Sequence, residues 1–204
     1  MAMSNQQRVV EVIDKRTVFE GHYRIERYHL RHTLHAGGMS ETLSRELFER
    51  GQVAAVLPVD PVRDEVILIE QFRIGPYAVG WDPWLLEGVA GIIEDGESPE
   101  DVARRETLEE AGCEIIDLVP VMRYISSPGA CSETVALYCG RVDTSGAGGV
   151  HGLADEGEDI KVMVYPVAKA IGLLDSGRIV NAKTIIALQW LALNYTDLKR
   201  RWLA

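Results

Sequence analysis

Three glutamates and one arginine lie close together near the middle of this chain, at spacings that suit a metal site. Glu106, Glu109 and Glu110 come soon after Arg105. In a helix, residues three and four positions apart are neighbours, so the three carboxylates would share one face. Each pair of like charges costs a helix about 0.2–0.5 kcal/mol, which a bound cation would offset. Carboxylate ligands favour Mg²⁺ or Mn²⁺ over zinc. A solvated acidic surface is the alternative interpretation.

The residues on either side of these carboxylates predict the helix that would hold them. Ser98 is a favourable N-cap, Pro99 suits the first helical position, and Asp101 lies where the acid of a capping box lies. Gly112 is the residue type that commonly ends a helix in the left-handed conformation. We therefore expect a helix over residues 99–111, preceded by a loop.

The pattern across this loop and helix resembles the Nudix box, the signature of a family of hydrolases. That box reads Gly-x5-Glu-x7-Arg-Glu-U-x-Glu-Glu-x-Gly-U, where U is an apolar residue. Its charged and glycine positions are all matched, by Gly91, Glu97, Arg105, Glu106, Glu109, Glu110 and Gly112. Thr107 and Cys113 occupy the two apolar positions. The resemblance implies hydrolysis of a nucleoside diphosphate linked to another group, and an α/β/α sandwich built on a mixed β-sheet.

The resemblance also implies roles for individual residues. Glu106 and Glu110 match the positions that bind metal, and the backbone carbonyl of Ala90 would be a further ligand. Arg105 would orient the carboxylates through charge-assisted hydrogen bonds. Glu109 would be either a ligand or a base.

Outside the box, nearly the whole chain resembles the ADP-ribose pyrophosphatases of this family. Pro128 lies at the position that marks this group, although a Pro-Gly pair is also a common turn. In the acidic loop at 152–159, Glu156 would be the general base and Glu158 would complete a metal site. Contacts with substrate are implied for Arg45, Arg73 and Glu133. Stacking on the adenine is implied for an aromatic residue of the N-terminal unit, Tyr23 or Tyr28 of a partner subunit.

The expected reaction is therefore Mg²⁺-dependent hydrolysis of ADP-ribose to AMP and ribose 5-phosphate, with Mn²⁺ as a possible substitute. A pyrophosphatase for another nucleotide sugar, such as GDP-mannose, is the first alternative. A Nudix domain that senses a nucleotide without cleaving it is the second.

Composition limits the partners and the location of the protein. The chain has 204 residues, enough for one good core and a small appended unit. Its formal net charge of −10 argues against binding to nucleic acid. The first residues lack the apolar stretch of a signal peptide, and no run is long enough to span a membrane. An odd number of cysteines without a Cys-x-x-Cys spacing indicates reduced thiols. We expect a cytoplasmic protein that does not bind membranes.

The distribution of strand and turn residues divides the chain at residue 50. Residues 1–50 are expected to form a β-rich unit for dimerisation and substrate binding, and residues 51–204 the hydrolase domain. Because about 40 residues cannot build a sufficient core alone, the first unit should pack on the main domain or on another subunit, and we expect a homodimer. In the second domain we expect strands at 52–59, 65–73, 84–90, 115–124, 134–142 and 160–167, and helices at 167–176 and 181–202.

Overall fold

The computed structural model describes residues 8–153 and 157–204, and the chain forms two compact units. The first unit runs to Gly51 and also includes Ile125–Glu133. The second comprises Gln52–Tyr124 and Thr134–Ala204.

The first unit contains a three-stranded antiparallel sheet. Its strands are β1 (Val10–Glu20), β2 (Arg24–His32) and β3 (Leu43–Glu49), in the order β1-β2-β3. Gly37 and Gly38, with φ of 93° and 79°, lie in the turn region between β2 and β3. Every residue of β1 is exposed, including several apolar ones.

A segment from later in the chain joins this sheet beside β3. The amide of Phe48 donates to the carbonyl of Ala130 (2.7 Å), and the amide of Ser132 donates to the carbonyl of Phe48 (3.1 Å). The segment Ile125–Glu133 therefore belongs to the first unit although it follows the box helix in the sequence.

The second unit is built on a mixed sheet of eight strands. Its continuous path is β10-β11-β5-β4-β9-β8, with β6 paired to β5 and β7 paired to β4. The pairing of β4 with β9 is parallel, whereas β4 and β5 form the predicted antiparallel hairpin. The strands are β4 (Gln52–Asp60), β5 (Glu65–Phe72), β6 (Trp84–Glu87), β7 (Val89–Ile92), β8 (Asp117–Ile125), β9 (Thr134–Arg141), β10 (Gly149–His151) and β11 (Ile160–Pro166).

Helices cover both faces of this sheet, as the alternation within β4 requires. Val53, Ala55 and Leu57 face a core shared with α3 (Val167–Gly172) and α4 (Ala182–Leu203). The intervening side chains, those of Ala54 and Val56, face a second core shared with α2 (Pro99–Ala111). Since successive strand residues point to opposite faces, one strand contributes to both cores. The predicted α/β/α sandwich with a mixed sheet is confirmed.

Helix α2 begins and ends at the predicted residues. The Ser98 side chain accepts a hydrogen bond from the Asp101 amide (3.2 Å), and Pro99 is the first helical residue. Gly112 ends the helix in the left-handed conformation, with φ of 65°.

Some short elements differ from the predictions. The expected strand at 84–90 is interrupted at Gly88 and continues to Ile92, giving β6 and β7. A Cβ on Gly88 would lie 3.0 Å from the Val56 carbonyl oxygen, so the backbones are close there. The helix α1 (Ile74–Ala78) and the strand β10 lie where no element was expected. Among the described helices, none is long and apolar enough to cross a membrane.

Candidate active site

The loop before α2 lies directly against the box helix at Gly91. A Cβ built on Gly91 would overlap the carboxylate of Glu106. The φ of Gly91 is not in the left-handed region. Glycine is therefore needed at this position to leave room for Glu106, and not for its backbone conformation. Ala90 precedes it on β7, and its amide donates to the Glu110 carboxylate (3.1 Å). The residues predicted to bind metal, Ala90, Glu106 and Glu110, therefore lie together.

Arg105 connects three carboxylates of the box. Its Nε donates to Glu97 (3.1 Å), and its Nη1 donates to Glu106 (2.8 Å) and Glu109 (3.1 Å). Glu97 also accepts from the amide of Glu94 (3.0 Å), which ties the loop to the helix. The hydrogen bond from Arg105 lowers the pKa of Glu97. Arg105 therefore makes charge-assisted hydrogen bonds to all three carboxylates.

Glu110 is a buried carboxyl group on the same helix. It is 2% exposed. Burial raises its pKa to about 8, although the positive charge of Lys183 and the hydrogen bond from Ala90 act in the opposite direction. Burial likewise raises the pKa of Glu106, against the opposing charge of Arg105. Each of these two groups would be stabilised as an anion by a further cation beside it.

Glu158 lies near the same carboxylates, beyond the end of β10. Its side chain accepts a hydrogen bond from the Leu153 amide (3.1 Å), and its charge acts on Glu106. The amide of Gly152 donates to the Glu109 carbonyl (3.3 Å), which attaches this loop to α2. The predicted base, Glu156, lies outside the described residues.

Two residues of this region, Glu87 and Lys183, were not predicted. Glu87 is 4% exposed at the end of β6, and its Oε2 accepts from the Nε of Arg73 (2.8 Å). The Nζ of Lys183, at the start of α4, lies 3.7 Å from the same oxygen. Arg73, a predicted substrate contact, is thus anchored beside the carboxylates of α2, because its charge also acts on Glu110. No local pattern in the sequence signals Glu87, because its two partners come from distant parts of the chain.

The other three predicted substrate contacts lie in the first unit. Arg45 is exposed on β3, and its guanidinium donates to the Ser44 carbonyl (2.9 Å). The carboxylate of Glu133 is 2.9 Å from the Nε of Arg50. The Arg50 guanidinium also lies over the ring of Tyr23, at 5.6 Å from its centroid. Arg50 therefore joins two of the predicted contacts.

The chemistry of this site follows from its oxygen donors. Glu106, Glu110 and the Ala90 carbonyl could bind a hard divalent ion, with Glu158 nearby. Over the described ranges, no three acidic, histidine or cysteine side chains form a complete ligand set. Glu106 and Glu110 instead accept hydrogen bonds from Arg105 and Ala90. The cations Arg73 and Lys183 border the acidic cluster and could bind an anion.

Comparison with known proteins finds one matching family and several relatives. Residues 41–188 match the family described as NUDIX domain. The ADP-ribose pyrophosphatase of Escherichia coli (strain K12) is 50% identical over 193 residues, covering 95% of this chain and 92% of that protein. The ADP-ribose pyrophosphatase of Haemophilus influenzae is 43% identical over 199 residues, covering 96% and 92%.

A more distant relative and a solved structure extend the comparison. The GDP-mannose pyrophosphatase of Pectobacterium atrosepticum is 31% identical over 185 residues, covering 88% of this chain and 92% of that protein. A crystal structure of an ADP compounds hydrolase superposes with a TM-score of 0.72, covering 97% of this chain and 98% of the other. At 21% identity, this last similarity concerns the fold alone.

Proposed function

Because this chain belongs to the Nudix family of hydrolases, we propose that it hydrolyses ADP-ribose to AMP and ribose 5-phosphate with Mg²⁺. The observation that carries the proposal is the close approach of Gly91 to Glu106 beside Arg105 and the buried Glu110. Relatives at 50% and 43% identity are ADP-ribose pyrophosphatases, which favours this substrate.

The proposed metal ligands are Glu106, Glu110, Glu158 and the Ala90 carbonyl. Oxygen donors of this kind fit Mg²⁺, and Mn²⁺ should substitute for it. A divalent ion bound there would stabilise the negative charge that builds up on the phosphoryl oxygens. Arg105 holds Glu106 and Glu109 in place through the hydrogen bonds already described.

The remaining steps fall to side chains of the protein. Arg73, fixed by Glu87, would bind the diphosphate. Glu156 would take a proton from the attacking water. The water oxygen would then bond to one phosphorus, and the bond between that phosphorus and the bridging oxygen would break. Glu109 is the next candidate for this base. Arg45, Glu133 and Tyr23 are the other proposed substrate contacts.

We also propose that residues 1–50 serve dimerisation and substrate binding and that residues 51–204 form the hydrolase domain of a cytoplasmic homodimer. The exposed apolar side chains along β1 support the dimer, since burial in an interface would remove them from water. The three free thiols, Cys113, Cys131 and Cys139, are compatible with a reducing compartment.

A substrate panel tests the proposed activity. Release of AMP from ADP-ribose, measured with Mg²⁺, should exceed the cleavage of GDP-mannose and of uracil nucleotide sugars. GDP-mannose is the second candidate because a relative at 31% identity is a GDP-mannose pyrophosphatase. A clear preference for a guanine or uracil sugar would refute ADP-ribose as the substrate. Binding of ADP-ribose without any release of AMP would favour a Nudix domain that senses a nucleotide without cleaving it.

The base is tested by replacing Glu156 with glutamine. We expect Glu156→Gln to lower kcat by roughly 10²–10⁴ with little change in ADP-ribose binding, the range for a positioned general base. Glu114→Gln is the matched control, because this exposed glutamate lies just beyond α2. Normal turnover in Glu156→Gln would indicate that Glu109 or Glu133 is the general base.

A further inference from the structure

Glu87 holds two cations with a single carboxylate oxygen. The Nε of Arg73 donates to Oε2 at 2.8 Å, and the Nζ of Lys183 lies 3.7 Å from the same atom. The Glu87 side chain is 5% exposed, that of Lys183 is 17% exposed and that of Arg73 is 39% exposed. One buried carboxylate oxygen therefore lies beside two cations, and the charges of both also act on the buried Glu110.

The anchoring of Arg73 leaves its outer nitrogens available. The hydrogen bond to Glu87 uses Nε, and no other described residue accepts a hydrogen bond from Nη1 or Nη2. A guanidinium fixed in this way presents a planar pair of donors, a geometry that suits phosphate oxygens.

The fold fixes the position of Lys183 through the start of α4. The side chain of Asn181 donates to the Leu86 carbonyl (2.9 Å), and the Gly88 amide donates to the side chain of Thr184 (2.8 Å). These contacts on both sides of Glu87 hold the first turn of α4 against the end of β6. The position of Lys183 is thus set by the backbone as well as by Glu87.

A lysine in this first turn is unfavourable for the helix itself. The amino end of a helix carries partial positive charge, so an acidic residue is favoured there and a cation is disfavoured. The first turn of α4 contains no acidic residue. The helix end, Lys183 and Arg73 are therefore three sources of positive potential at the end of β6, and the charges of Lys183 and Arg73 act on Glu110 of α2.

We propose that Lys183 is a further substrate-binding residue, whose ammonium group binds the diphosphate beside the guanidinium of Arg73. The proposal rests on the hydrolysis of a nucleoside diphosphate sugar proposed above. Glu87 sets the separation of the two cations, because both contact its Oε2. The diphosphate then binds between these cations and the metal-binding carboxylates of α2.

The test measures the binding of inorganic diphosphate by titration calorimetry, with Mg²⁺ in excess. We expect Lys183→Met to raise Kd by at least about tenfold, as for the loss of one charge-assisted contact. Lys183→Arg, which keeps the charge, should stay within about threefold of the wild type. Lys169→Met, the same change on the exposed face of α3, is the control for net charge.

Urea unfolding without ligand separates binding from a merely structural role. If Lys183 only compensates the charge of Glu87, Lys183→Met will be less stable than the wild type but will bind diphosphate with the same Kd. That result would overturn the proposal. An unaltered Kd at normal stability would overturn it as well, as would a wild type that does not bind diphosphate. If the wild type binds diphosphate through Lys183 but does not cleave ADP-ribose, the proposed function fails and the inference stands.

Discussion

At the scale of single residues, the contact between Gly91 and Glu106 links the loop to the proposed metal site. An alanine Cβ at this position would overlap Oε1, Cδ and Cγ of Glu106. These atoms form the end of a flexible side chain, so Glu106 can turn away while the backbone stays in place. The expected damage therefore concerns the carboxylate and not the fold.

We predict that Gly91→Ala lowers kcat for ADP-ribose by about 10²-fold or more, the effect of a misplaced group in an active site. The free energy of unfolding, measured in urea, should change by less than about 1 kcal/mol. Gly172→Ala is the control, because a Cβ there would meet no atom within 4 Å. Full activity in Gly91→Ala would show that Glu106 need not hold its position.

At the scale of elements, Asp60 organises the turn between β4 and β5. It is 1% exposed, and its carboxylate accepts hydrogen bonds from the amides of Val62 (2.8 Å), Arg63 (3.1 Å) and Thr144 (3.0 Å). Burial alone would raise its pKa, but these hydrogen bonds outweigh burial and lower the pKa to about 2. The turn is thus stabilised by the charged form of Asp60.

A depressed pKa makes the contribution of Asp60 dependent on pH. This stabilisation is fully present above pH 3.8, the pKa of Asp60 in the unfolded chain. It is lost as the pH falls through about 2, the pKa in the folded protein. This corresponds to about 2 kcal/mol of stability. We predict that the difference in unfolding free energy between wild type and Asp60→Asn shrinks by about that amount from pH 5 to pH 2, in urea titrations.

The end of α2 packs against the strand β10 that leads to Glu158. A Cβ on Gly112 would lie 2.6 Å from Cε1 of His151, and the φ of Gly112 is 65°. Gly177 has a similar φ of 69°, but a Cβ there would meet nothing within 4 Å. The two glycines therefore differ in the surrounding space and hardly in backbone conformation.

We predict that Gly112→Ala destabilises the protein more than Gly177→Ala does, by about 1–3 kcal/mol in urea unfolding. Both variants bear the cost of a left-handed alanine, about 1–2 kcal/mol, so the difference reports the clash with His151. Adding His151→Ala to Gly112→Ala should remove most of this excess. Equal losses in the two single variants would exclude the clash.

Local signals explain which elements could be predicted from the sequence. Helix α2 was predicted to its ends because Ser98, Pro99 and Gly112 act through neighbouring backbone groups. The helix α1 has five residues, no side-chain cap and no buried residue, so it leaves no periodic pattern. Glu87 and Lys183 could not be predicted either, because only the packing of α4 on β6 brings together residues so far apart in the chain.

At the scale of the whole molecule, the apolar residues of β1 distinguish the first unit. Val12 and Ile13 are 55% and 58% exposed, and they lie where the register of β1 on β2 shifts. The order β1-β2-β3 also leaves β1 at an edge of its sheet. Unpaired edges with apolar side chains are surfaces on which a second chain can bind. The composition of 1–50 predicted a unit that needs a partner, but not which strand would be exposed.

We predict that the wild type is a dimer in size-exclusion chromatography with light scattering, and that the double variant Val12→Ser, Ile13→Ser shifts it toward the monomer. Removing two apolar side chains from an interface should weaken association by at least about tenfold, since each contributes on the order of 1 kcal/mol or more. Val150→Ser is the control, because Val150 is 68% exposed on β10 in the second unit. A wild type that is monomeric at micromolar concentration would refute the dimer. A dimer unaffected by the double variant would place the interface away from β1.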